Sequence, residues 1–235
     1  MSMFLSVLKG EMRKLNKRRK YRVLFILFLI AYLIGRAISY FSNVSASAGV
    51  AMGNGLLVFY LPLISFIAVN DLISSEIRDR SIQQCLIRPV PRMSVYFAKC
   101  VSALIQCAQQ AFCVIIIDYA LIFAGLNAGS PFQAAYLVFD LIPLMTVISF
   151  SALISIVVSN SAFSMLLTLV LYAGMHVAGS FLGVSTILFT SYMNWHTMLH
   201  GGLSAVAFIE RFVLVAAPGV LFLTAGAIVM ERKRL

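Results

Sequence analysis

The chain reads as an all-α integral membrane protein with six transmembrane helices, and three observations predict that class. Of its 235 residues, 61% are hydrophobic and only 11% charged, against roughly 45–50% and 25% in a soluble domain. The apolar residues gather into runs that suit a bilayer core about 30 Å thick, which takes about 20 residues per crossing. The basic residues behind the net charge of +10 lie, all but two, in segments that fall on one side if the chain crosses six times. A water-soluble globule is excluded, and six crossings leave too little chain for a second catalytic domain.

Residues 1–20 form an amphipathic interface helix on the cytoplasmic side. Phe4, Val7, Leu8, Met12 and Leu15 recur at helical spacing with Lys9, Arg13, Lys14 and Lys17 between them. Such a helix lies in the membrane interface, its basic side toward anionic lipid or a cytoplasmic partner. Residues 21–235 make one transmembrane domain. Its first crossing, 22–41, follows a basic leader too long for a signal peptide, so it is retained. A Ser/Gly/Asn-rich break, Ser42 to Gly55, leads into the second crossing, 52–70. Segment 71–94 carries Asp71, Glu76, Arg78, Asp79, Arg80, Arg88 and Arg92 with Pro89 and Pro91, and belongs in water or among headgroups. The third crossing, 95–124, is longer than the bilayer core at about 1.5 Å per residue, so one end protrudes. The fourth, 134–158, and fifth, 162–182, are separated by a tight turn at Ser159-Asn160-Ser161. The extracellular segment 183–204 precedes the sixth crossing, 208–230, which Glu231-Arg232-Lys233-Arg234 ends.

Sixteen of the eighteen basic residues then share one side with both chain ends. Because Lys and Arg near helix ends stay in the cytoplasm, both termini face inside and the plasma membrane is the expected location. The positive charge records orientation and a docking face, with no nucleic acid as partner. Cys85, Cys100, Cys107 and Cys113 all fall in the cytoplasmic segment or the third helix, where thiols stay reduced and pack as small apolar groups.

The cytoplasmic segment is the most informative. Ser74 or Ser75 suits a helix cap with acids in the first turn, and Ile77, Ile82, Leu86 and Ile87 give a short amphipathic pattern that Pro89 stops. An acid, an apolar position, a Pro-x-x-Arg ending and a later Lys, here Glu76, Leu86, Pro89, Arg92 and Lys99, resemble the loop between helices two and three of ABC-2 type transporter permeases. Ser81-Ile82 stands where that family usually has Gly-Thr. The resemblance implies that Glu76, Arg78, Asp79, Arg80, Ser81, Leu86, Pro89 and Arg92 couple the chain to an ATPase subunit. The leader, through Phe4, Leu8, Met12 and Lys14, would pack alongside. The chain carries no G-x-x-x-x-G-K-[ST] phosphate loop. It therefore binds no cofactor of its own, and ATP with Mg belongs to the partner. Two ATPases and a second permease copy, identical or a sister, complete the expected unit. Re-entrant helices between crossings five and six are implied by the same likeness.

Charges within apolar spans are functional candidates because they are costly there. Arg36, Asp118, Asp140, Glu210 and Arg211 all fall in the outer half. One acid is expected to hold Arg36 in a bridge, with substrate contact as the alternative. Gly49-x-x-x-Gly53 and Gly179-x-x-x-Gly183 offer close helix approach. His196 and His200 have metal-ligand spacing but no third ligand, and with Tyr192 and Trp195 they suit an interfacial aromatic belt. The expected function is a bacterial export permease for amphipathic or hydrophobic cargo, resembling exporters of cytolytic or antimicrobial peptides. Multidrug, lipid or glycan export and, more remotely, an intramembrane enzyme are the alternatives.

Overall fold

The computed structural model describes residues 2–41, 46–79, 91–124, 140–158, 160–182, 189–192 and 205–232. Among them lie eight α-helices, one short 3₁₀ turn and no strand. In order the helices are α1 (Ser2–Lys17), α2 (Arg19–Phe41), α3 (Ala46–Leu72), α4 (Ser74–Arg78), α5 (Arg92–Phe123), α6 (Leu141–Val157), α7 (Ser161–Leu182) and α8 (Ala205–Arg232). The 3₁₀ turn, Phe189–Tyr192, lies between α7 and α8.

Helix α1 passes to α2 through Arg18, whose N–H donates to the Leu15 carbonyl at 3.1 Å. Helix α3 begins at Ala46, so most of the Ser/Gly/Asn-rich stretch expected as a break is helical, with Gly49 and Gly53 inside it. Backbone groups in hydrocarbon find partners only within a helix, which lets Gly- and Ser-containing sequence stay helical there. Helix α4 follows almost without interruption, and neither Ser74 nor Ser75 caps it. The preceding residue, Ile73, supplies no side-chain cap. The Ser74 hydroxyl instead donates to the Val158 carbonyl at 3.0 Å, and that of Ser75 to the Asp71 carbonyl at 2.5 Å. A side-chain cap is superfluous because the i to i−4 bonding runs on across the junction: Ile73 N–H bonds to Val69 O of α3, and Ile77 N–H to the carbonyl of Ile73 between the two helices, each at 2.9 Å.

Pro91, in extended conformation, precedes the first turn of α5. This helix has 32 residues, about 48 Å at 1.5 Å per residue. Helices α6 and α7 join through an extended Val158 and through Asn160, whose Oδ1 accepts the amides of Ala162 (3.1 Å) and Phe163 (3.4 Å). Asn70 of α3 pins this turn by donating to the carbonyl and hydroxyl oxygens of Ser161 at 2.8 and 2.9 Å.

Helices α3, α5, α6 and α8 form the core, with α6 buried over most of its length. The most extensive packing is between α6 and α8. Thr146 donates to the Val215 carbonyl at 2.8 Å, and Gly219 leaves room for that same threonine, since a Cβ there would lie 2.7 Å from its Oγ1. Farther along α8, a Cβ on Gly226 would overlap the Tyr96 hydroxyl of α5. Outward, Ile26 and Ile30 of α2, Leu166 and Val170 of α7, and Val220 and Leu221 of α8 are exposed. Apolar faces of this extent suit lipid or another apolar surface.

Among the described residues, four helices are long and apolar enough to cross a membrane: Phe59–Arg78, Arg92–Phe123, Ser161–Gly179 and Val206–Arg232. Leu141–Val157 is apolar but shorter, and α2 carries Arg19, Lys20, Arg22 and Arg36. The expected residues Arg80, Ser81, Ile82, Cys85, Leu86, Ile87, Arg88, Pro89, Gly183, Trp195, His196 and His200 lie outside the described residues.

Candidate functional site

Two buried charged clusters stand out, at opposite ends of α5. The first joins α1, α4 and α5. Lys99 is 1% exposed and Glu11 and Glu76 nearly as deeply buried. The Lys99 ammonium donates to Glu76 Oε2 at 2.6 Å, to the Leu72 carbonyl at 2.7 Å and to Glu11 Oε2 at 3.4 Å. Half-exposed Lys14 closes the quartet, reaching Glu11 Oε1 and Glu76 Oε1 at 2.9 Å each. Two ammonium groups alternate with two carboxylates, so buried charge is balanced and hydrogen-bonded, the condition under which it is tolerated. Burial opposes the Lys14 charge, but its hydrogen bond to Glu76 and the field of Glu11 outweigh that and hold its pKa above the ordinary lysine value.

A satellite cluster extends the seam to α2 and α3. The Tyr21 hydroxyl donates to Asp71 Oδ2 at 2.5 Å, and Arg18 pairs with the same oxygen at 3.0 Å. Lys20 also pairs with it.

The second cluster lies about 28 Å farther along α5, nineteen residues beyond Lys99 at 1.5 Å each. Here Arg36 Nη2 donates to Asp118 Oδ1 and Oδ2 at 3.1 and 3.2 Å and to the Tyr32 hydroxyl at 2.8 Å. Tyr32 in turn donates to Asp118 Oδ1 at 2.5 Å. Arg36 is 8% exposed, Asp118 4% and Tyr32 0%. Phe28 stacks on Tyr60 with ring centroids 3.9 Å apart, and Tyr60 donates to Gln110 at 2.8 Å.

The carboxylate paired with Arg36 is thus that of Asp118. Asp140 is buried at the start of α6, while Glu210 is exposed and Arg211 half-buried on α8. Of the loop residues, Glu76 turns inward to the quartet. Arg78 and Asp79 are exposed and paired with each other at 3.0 Å, and Arg92 reaches the Glu231 carbonyl of α8 at 3.4 Å. Phe4, Leu8 and Met12 are half-buried on α1. Sequence reasoning missed Glu11, Tyr21, Tyr32 and the bridging role of Lys99. The signals were present: Glu11 is the lone acid among the leader's basic residues, and Lys99 the lone charge in the long run from Val95 to Ile117. Among the described residues, no group of three or more His, Cys, Asp or Glu could hold a metal ion.

Long apolar helices, four of them long enough to cross a bilayer among the described residues, define a helical membrane protein. Residues 7–175, more than half of the chain, match the family described as ABC-2 family transporter protein, and the chain belongs to that family. It is therefore the membrane component of an ABC transporter and multi-pass, working in general with an ABC ATPase. No curated protein matches the chain by sequence.

Proposed function

We propose that the chain is the permease of an ATP-driven exporter in a bacterial plasma membrane, crossing six times with both ends in the cytoplasm. Its cargo is amphipathic or hydrophobic, with cytolytic or antimicrobial peptides as the favoured class. Two permease copies enclose the pathway, and two ATPase subunits, which bind the ATP and Mg, drive it. The observation that carries this reading is the quartet of Glu11, Lys14, Glu76 and Lys99, which ties the leader and the start of the 71–94 loop to the long helix α5. An ATPase seated on that loop, touching exposed Arg78 and Asp79, would move α4 against no slack. Through the quartet, the displacement passes to α1 and to the inner end of α5.

Reconstitution of the chain with its ATPase in sealed vesicles tests the proposal. Expected are ATP hydrolysis stimulated by an amphipathic peptide and movement of that peptide across the bilayer. ATP hydrolysis that is indifferent to the permease, with no peptide movement, would refute it.

A further inference from the structure

The guanidinium of Arg36 is only partly used. Nη2 serves Tyr32 and both oxygens of Asp118, and Nε points to the Tyr32 hydroxyl at 3.3 Å. Nη1 is buried and has no hydrogen-bond partner among the described residues. A buried donor without an acceptor is costly, and native structures seldom leave one without a reason. The cost is higher in a membrane span, where water does not compete for it. The pair with Asp118 cancels the formal charge, but the two N–H groups on Nη1 stay polarised by the cation and keep their capacity to donate. The surroundings are apolar and aromatic, with Phe28, Tyr32, Val114 and Ile115 packed together. One oriented donor in an apolar setting is the usual composition of a site for an amphipathic ligand.

An amphipathic helical peptide brings a matching group. Its last four carbonyls lack intrahelical partners, its dipole is negative at that end, and its terminal carboxylate adds a full charge. We propose that Arg36 is a cargo-binding residue whose Nη1 donates to the carboxyl end of an amphipathic peptide, while Asp118 and Tyr32 act as positioning residues that fix the guanidinium plane. This rests on the exporter reading above and names the part of the cargo that is recognised.

The probe is a synthetic amphipathic helical peptide made with either a free carboxylate or a carboxamide at its end. It is added to the permease–ATPase complex in phosphatidylcholine vesicles, and ATP hydrolysis is followed against peptide concentration. The free acid is expected to half-stimulate at roughly one-tenth the concentration of the amide, the factor for one charge-assisted hydrogen bond. In Arg36→Lys, which keeps a cation for Asp118 but has no second nitrogen, the ratio should fall to about one. Equal half-stimulating concentrations in the unaltered complex, or a ratio that survives Arg36→Lys, overturn the assignment and leave the exporter reading standing. Failure of both peptides to stimulate overturns both. If Arg36→Lys alters only the response to added phosphatidylglycerol, the acceptor is a lipid phosphate and the peptide assignment falls.

Discussion

At the scale of single residues, the charges within this apolar chain act in pairs, so their loss should be measured in pairs. Replacing Lys99 by Met leaves Glu11 and Glu76 buried with Lys14 as their remaining ammonium. Removing one partner from a buried pair costs about 3–5 kcal/mol, and thermal unfolding of the detergent-solubilised protein should show a drop of that order. Adding Glu76→Gln to Lys99→Met should recover part of the loss, and simple additivity of the two would remove the claim of direct coupling. The same cycle applies to Arg36 and Asp118: neutralising both should cost less stability than neutralising Asp118 alone. That an acid would hold Arg36 was legible in the sequence, because a lone cation in an apolar run needs a partner, but the choice of Asp118 over Asp140 depends on which helices pack together. The quartet was not, because Glu11 and Lys99 lie 88 positions apart and Glu11 occupies a leader whose pattern describes an interface helix without saying what it rests on.

At the scale of elements, the most exposed assumption is close helix contact. Gly226→Ala would drive a Cβ into the Tyr96 hydroxyl, and overpacking a tight contact typically costs about 1–3 kcal/mol. Tyr96→Phe removes that hydroxyl but leaves the ring Cζ 2.7 Å from the added Cβ, so it should relieve only part of the cost of Gly226→Ala, again by thermal unfolding. Asn160→Ala removes the oxygen that caps α7 and should cost about 1 kcal/mol; an unchanged melting temperature would show that the Asn70 contact suffices. The turn at Asn160 and the long run of α5 could be placed from the sequence, since polarity and length announce them. The start of α3 could not, because Ser and Gly signal a loop only where water can satisfy the backbone they release. The contact of Gly219 with Thr146 was equally hidden, being a property of two faces and not of one helix.

At the scale of the whole molecule, the proposed topology rests on the distribution of the basic residues. If both ends and the α6–α7 turn are cytoplasmic, cysteines introduced singly at Ser6, Asn160 or Arg232 in a chain whose native cysteines are replaced should react with a membrane-impermeant thiol reagent only after permeabilisation. Labelling of the Asn160→Cys protein in intact cells would place that turn outside and break the six-crossing scheme.

The quartet also imposes an order on biogenesis. The leader emerges first, and its basic residues can orient the first helix by the charge rule as soon as that helix enters the membrane. Glu11 then has Lys14 beside it but lacks Glu76 and Lys99, which are still to be synthesised. The leader can seal against the bundle only after α5 has entered the bilayer, so docking of residues 2–17 records that the third expected crossing is in place. A chain truncated before Lys99 should carry a leader that is protease-sensitive, and one extended beyond α5 a leader that is protected.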